Sequence, residues 1–239
     1  MPMLNQRKLL FPNGEALASA SLDATIRLYS AQSGVPGYII TNEIASKISF
    51  TTSNTFSIWR GNLVKVLQLP LGSLLRTQLV SGGLDFSPSG ELFTMTPQQG
   101  EGGGTKILKV LDGALVRSLD QLVNGYGLIS HDDKKLAFIH YSVGDAPENV
   151  SLHSLDDGKF IQNIAPNGIP TFSSDNQQIA VAYTTDFFLC RVSDGTRLAT
   201  WGHPPYDSEG PTGTERAQHV QFSKDGKLLI SAEGDQRIA

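Results

Sequence analysis

The stretch Pro12-Asn13-Gly14-Glu15-Ala16-Leu17-Ala18-Ser19-Ala20-Ser21-Leu22-Asp23-Ala24-Thr25-Ile26-Arg27-Leu28-Tyr29 decides the fold. A polar turn on Asn and Gly opens it, and a run of small and apolar residues follows. A second polar turn centres on Asp23, and Thr25 to Tyr29 returns to strand-type residues. Turns that punctuate short β-type runs read as antiparallel strands. Ser19 to Ile26 aligns without a gap to Ser231-Ala232-Glu233-Gly234-Asp235-Gln236-Arg237-Ile238, so the phrase is a repeat.

Its opening turn occurs six times, at Leu10 to Gly14, Phe50 to Asn54, Phe86 to Gly90, Ser130 to Lys134, Phe172 to Asn176 and Phe222 to Gly226, with intervals of 36 to 50 residues. Units therefore start near residues 7, 47, 83, 127, 169 and 218, about 42 residues apart. Within the first unit a Gly-containing turn, Ala31 to Gly34, leads to a fourth strand. A four-stranded sheet cannot cover both of its faces, so neighbouring units must stack and share a core. The architecture expected from this period is an all-β propeller of four-stranded antiparallel blades, forming one domain over residues 1–239. Five units read as complete, and the sixth reaches Arg237-Ile238-Ala239 inside its third strand. Only Met1 to Gln6 precede the first unit, so an open ring is expected, with an unpaired edge that invites self-association. The chain then reads as a fragment of a longer propeller or an early-terminated product.

The same residues carry a resemblance to the WD40 repeat family over nearly the whole chain. Gln68 to Thr77, Asp112-Gly113-Ala114-Leu115-Val116 and Ser193 to His203 are similar to the later strands of that repeat. The departures are equally specific. Tyr29-Ser30, Leu67-Gln68, Leu111-Asp112 and Val192-Ser193 stand where the family carries Trp-Asp, and the Gly-His pair occurs once, at Gly202-His203. The resemblance implies a noncatalytic protein–protein interaction scaffold, and places Asp23 and Asp235 as structural residues of the turn between second and third strands.

A net charge of −4 gives no general attraction to nucleic acid phosphates or anionic lipid, so neither partner is expected. Cys190 is the single cysteine, which rules out an intrachain disulfide and cysteine-rich zinc sites and suits a small residue within a strand. The first residues lack a basic head followed by an apolar stretch, and no run of 18 apolar residues occurs, so an intracellular protein of the cytoplasm or nucleus is expected.

The long loops 97–104, 142–149 and 203–216 all belong to the kind that a propeller gathers on one face. They supply the candidate partner-binding residues Glu101, Asp145, Glu148, His203, Tyr206, Asp207, Glu209 and Arg216. With Glu43, Asp120 and Glu215 they make an acidic rim, which favours a basic peptide or protein; the same residues also suit plain solvation of loops. Tyr206 beside Pro204-Pro205 offers an aromatic anchor.

Chemistry-bearing patterns are weak. Ser130-His131-Asp132 has the letters of a hydrolase triad, but three adjacent residues in a turn cannot make its mutual hydrogen bonds. Gly102-Gly103-Gly104-Thr105-Lys106 lacks the Gly-Lys-Ser/Thr order of a phosphate loop and should lead into a strand. The five histidines show no paired metal-ligand spacing. No catalytic residue, metal or cofactor is therefore expected. A propeller-type lactonase or hydrolase and a sensing or autoinhibitory domain of a larger signalling protein stand as alternatives to the scaffold.

Overall fold

The computed structural model describes residues 7–10, 16–21, 23–41, 43, 45–50, 55–69, 73–97, 101–141, 149–166, 168–183, 186–202, 217–223 and 225–233. Its first sheet holds β1 (Arg7–Leu10), β2 (Ala16–Ala20), β3 (Thr25–Ser30) and β4 (Pro36–Thr41). The second holds β5 (Lys47–Phe50), β6 (Thr55–Arg60), β7 (Leu63–Gln68) and β8 (Ser73–Leu79), and the third β9 (Gly83–Phe86), β10 (Leu92–Thr96), β11 (Thr105–Lys109) and β12 (Leu115–Leu119). The fourth is β13 (Gly125–Ile129), β14 (Lys135–His140), β15 (Asn149–Ser154) and β16 (Phe160–Pro166). The fifth is β17 (Ile169–Phe172), β18 (Gln178–Tyr183), β19 (Asp186–Arg191) and β20 (Arg197–Gly202). Among the described residues the last sheet has two strands, β21 (Ala217–Phe222) and β22 (Leu229–Glu233). Consecutive strands pair antiparallel. The chain is all-β, with several four-stranded antiparallel sheets, consistent with a propeller-like fold.

The opening turn has, in the third to sixth units, a physical basis that recurs almost atom for atom. Ser130 Oγ donates to Asp132 Oδ1 at 2.6 Å and accepts the Lys135 N–H at 2.9 Å, while Asp132 accepts the Lys134 N–H at 3.2 Å. Ser173 with Asp175 and Ser223 with Asp225 repeat it, each at 2.6 Å. In the third unit Ser89 replaces the carboxylate, 2.8 Å from Ser87 Oγ. Short polar side chains that bond the backbone two residues on are what make these residues turn formers. The last turn residue lies in the left-handed region, as Gly90, Asp133, Asn176 or Gly226, where only Gly, Asn and Asp are readily accommodated.

The second strands β6, β14 and β18 are covered on both faces, which explains why they read as apolar runs rather than as an alternation. In β14, Leu136, Ala137 and Phe138 are all fully buried. Fourth strands are outermost in their sheets and leave Leu74, Leu79, Leu115 and Trp201 exposed.

The chain divides into two compact units, residues 1–95 with 107–116 and residues 96–106 with 117–239, the third sheet lending residues to each. In the first unit, Ala18, Ile26 and Leu28 pack with Ile48, Phe56 and Ile58, and a second cluster joins Val64 and Val66 to Leu84, Phe93 and Leu108. Lys47 pairs with the buried Asp85, and Lys65 with Glu43. In the second unit, Ala137, Ile139, Val150 and Leu152 pack with Ile179, Val181, Phe188 and Cys190. A smaller cluster joins Ala180, Ala182 and Phe187 to Val220, with Phe222 and Leu229 partly buried against it. No helix among the described residues is long and apolar enough to cross a membrane.

Candidate functional site

The sixth sheet creates the site. Its second strand, β22, follows the same serine-opened turn as β10, β14 and β18, so positions correspond through the bonds Ser87 N to Leu92 O, Ser130 N to Lys135 O, Ser173 N to Gln178 O and Ser223 N to Leu228 O. By that register Leu229 matches Phe93, Leu136 and Ile179, each fully buried, yet Leu229 is only partly buried. Ile230 matches Thr94, Ala137 and Ala180, again fully buried, and is 47% exposed. Leu228 is 65% exposed.

Beside β22 runs a groove of about 450 Å³. It is lined by Gln178, Phe187, Leu189 and Trp201 of the fifth sheet, by Phe222 and Leu229 of the sixth, and by Gly226, Lys227 and Leu228 of the turn between β21 and β22. This volume lies within the usual range for bound small molecules as well as side chains. The groove is mostly apolar and presents one cation, Lys227.

The residues expected from the sequence are placed differently. Of the candidate partner-binding set, Glu101 is described and exposed. Asp145, Glu148, His203, Tyr206, Asp207, Glu209 and Arg216 lie outside the described residues, as does Asp235. Within the acidic rim, Glu43 is neutralised by Lys65, and Asp120 accepts from Ser118 Oγ at 2.5 Å. Asp23 accepts the Thr25 N–H at 2.9 Å and the Arg27 guanidinium at 2.9 Å. Its carboxyl is held down at about 2, first by the Thr25 hydroxyl and then by the Thr25 amide and Arg27, against the raising effect of partial desolvation.

In Ser130-His131-Asp132 the serine and aspartate hydroxyl–carboxylate bond is the turn itself, and the His131 N–H donates to Asn176 Oδ1 at 2.8 Å. After Gly102-Gly103-Gly104 comes strand β11, and Gly104 is packed so closely that a Cβ there would lie 2.2 Å from Leu119 O. Cys190 is fully buried in β19, and burial raises its thiol pKa.

One cluster was not legible from spacing. Ser151 Oγ lies 2.7 Å from His140 Nε2 and 2.8 Å from His153 Nε2. His140 ends β14, while Ser151 and His153 are two apart on β15, so all three share one face of the fourth sheet. Phe138 and Phe160 meet the rings edge-on. A hydroxyl has one proton, so Ser151 donates to one ring and accepts from the other. His153 Nδ1 is buried without a partner. An orphaned lone pair is tolerated better than an orphaned N–H, which makes His153 the donor through Nε2 and His140 the acceptor. Burial, with the neighbouring His140 charge, lowers the His153 pKa to about 4, and burial lowers that of His140. Ser151 and His153 are each 2% exposed, so no substrate reaches them. The sequence signal available was the alternation Ser151-x-His153 on a strand with Phe138-x-His140 opposite. Among the described residues no three His, Cys, Asp or Glu side chains converge as a metal site.

No family model and no curated protein matches the chain. Among solved structures, Kuenenia stuttgartiensis hydrazine synthase is similar in fold, with a TM-score of 0.69 over 94% of this chain and 72% of that one at 14% identity. In all, 1421 chains of known structure match, so the likeness describes an architecture that many proteins use and selects no activity.

Proposed function

We propose that the chain is a noncatalytic protein-interaction scaffold, its sheets the blades of a divergent WD40-like propeller with five four-stranded blades and an incomplete sixth in an open ring. Its partner is a protein or peptide, met in the cytoplasm or nucleus, and the acidic loop residues favour a basic one. The observation that carries this reading is the apolar groove beside β22, together with Ile230, which is 47% exposed where Thr94, Ala137 and Ala180 are fully buried in other sheets. Exposed apolar surface of this kind suits the binding of a polypeptide. Ser151, held between two imidazoles, is sealed from solvent, which counts against a hydrolase built on it.

The experiment is isolation of the tagged chain from cells under native conditions, with partner stoichiometry by quantitative mass spectrometry and protected amides by hydrogen exchange. A stoichiometric protein partner, with no turnover across a panel of ester, lactone and peptide substrates, is the expected result. Turnover that persists through repurification would overturn the proposal.

A further inference from the structure

The outer edge of a sheet carries unpaired main-chain groups, and proteins blunt such edges with Pro, with charged side chains or by keeping the strand short. The fourth strands of four sheets follow this rule: β4 opens on Pro36, β16 ends on Pro166, β12 has five residues, and β20 starts at the exposed Arg197. The fourth strand of the second sheet, β8, does not. Its sequence Ser73-Leu74-Leu75-Arg76-Thr77-Gln78-Leu79 is seven residues long with no Pro, Lys or acid, and Leu74, Leu75 and Leu79 are 57, 47 and 71% exposed. Its one charge is turned aside, since Arg76 Nη1 donates to Val110 O at 2.8 Å. Among the described residues no strand pairs with this edge.

The ladder with β7 fixes which groups the edge offers. The Val80 N–H donates to Asn62 O at 2.9 Å, which makes those two residues a hydrogen-bonded pair. Hydrogen-bonded and open pairs alternate along an antiparallel ladder, and the register sets Leu63 opposite Leu79, Val64 opposite Gln78, Lys65 opposite Thr77 and Val66 opposite Arg76. Thr77 and Leu79 therefore occupy open pairs, and their N–H and C=O groups point away from β7. Leu75 is the extra residue of a bulge opposite Val66 and Leu67 and stands outside that register.

This edge is complementary to itself. Two copies paired antiparallel about a twofold axis must set one residue opposite its own copy, because the two kinds of pair alternate. Arg76 in that place would oppose like charges, which destabilises a ladder. Gln78 in that place would engage only the end of the strand. With Thr77 on the axis, its outward N–H and C=O are exchanged with those of its copy, Leu79 lies opposite Leu75 on both sides, and Arg76 lies opposite the neutral Gln78.

We propose that two copies of the chain associate through β8, antiparallel about a twofold axis at Thr77, so that two four-stranded sheets become one of eight strands. The interface lies on the second sheet and shares no residue with the groove beside β22.

The test is the oligomeric state of the 239-residue chain, read by sedimentation velocity over a wide range of concentration, with a concentration-dependent dimer expected. Thr77→Pro removes the outward N–H and leaves the β7 ladder intact, as suits Pro on an edge strand; it should raise the dimer dissociation constant at least about tenfold, for one hydrogen bond lost in each direction. Leu79→Lys should act in the same sense, and urea unfolding of both variants should match the parent chain, separating loss of the dimer from loss of the fold. Thr77→Cys should give a reducible covalent dimer, since Cα atoms of a hydrogen-bonded pair lie about 5.5 Å apart, within disulfide range. Leu75→Cys and Leu79→Cys should not, because only the residue on the axis meets its own copy. A chain that stays monomeric at every concentration overturns the proposal. A dimer insensitive to Thr77→Pro, or cross-linking equal at all three positions, overturns it in favour of another surface or of random collision. Assembly that grows beyond the dimer overturns the twofold axis.

Discussion

Arg117 closes a turn that is not its own: its Nε donates to Leu155 O at 2.7 Å and its Nη2 to Asp156 O at 2.5 Å, with its side chain laid against Gly158. Arg76 does the same for Val110 O at 2.8 Å, over Gly113. The turn glycine provides both the left-handed backbone, φ +75° at Gly158, and the absence of a Cβ under the arginine.

Gly158→Ala should therefore cost about 2 kcal/mol, since the left-handed conformation alone costs about 1–2 kcal/mol for an L-residue and its Cβ would lie 3.1 Å from Leu119 Cδ2. Gly61→Ala, with φ +56° and nothing within 4 Å, should show the backbone cost alone. Arg117→Ala should lose about 2 kcal/mol through its two hydrogen bonds. Urea unfolding of the three variants checks the order.

Gly104→Ala should be the more damaging glycine change even though its backbone is unstrained. The new Cβ meets main chain, Leu119 O at 2.2 Å and Asp120 Cα at 2.3 Å, which cannot rotate away as a side chain would. A loss of at least about 2 kcal/mol is expected, measured as a drop in the denaturation midpoint at unchanged slope.

Stability should fall in mild acid because of His153. Its folded-state pKa of about 4 lies below the 6.5 of an unfolded imidazole, so the unfolded chain binds the extra proton between these values. The contribution is fully present above pH 6.5, declines as pH drops toward 4, and amounts to as much as about 3 kcal/mol. His140 and His131, also lowered by burial, add slopes of the same sign. His153→Leu should reduce the dependence of stability on pH between 4 and 6.5 without abolishing it; an unchanged slope would place the titration elsewhere.

The ion pair of Lys47 with Asp85 should reveal its value asymmetrically. Asp85 is 4% exposed and its carboxylate also accepts the Phe86 N–H at 2.8 Å. Lys47→Met leaves that buried charge without its cation and should cost about 3 kcal/mol. Adding Asp85→Asn should recover part of the loss, giving a coupling that a double-mutant cycle by urea denaturation reads directly.

The period, the turns and the strand order were legible because they are local. Ser130 and Asp132, or Asp23 and Thr25, form their turns across a separation of two residues, and short apolar runs lie between those turns. The groove was not legible: Trp201 and Leu229 are 28 positions apart and come to line one groove only once the fifth and sixth sheets stack.

What the sequence by itself determined is the repeated four-stranded antiparallel sheet and the absence of any recognisable catalytic phrase, because turn chemistry and hydrophobic runs act between near neighbours. The tertiary structure alone decided which polar residues share a space. Lys65 found Glu43, Lys47 found Asp85, and Ser151 came to sit between His140 and His153, through strand register and sheet packing that no spacing encodes. It also decided that Ile230 remains exposed where Thr94, Ala137 and Ala180 are fully buried, because burial depends on what packs beside a strand and not on the residue itself.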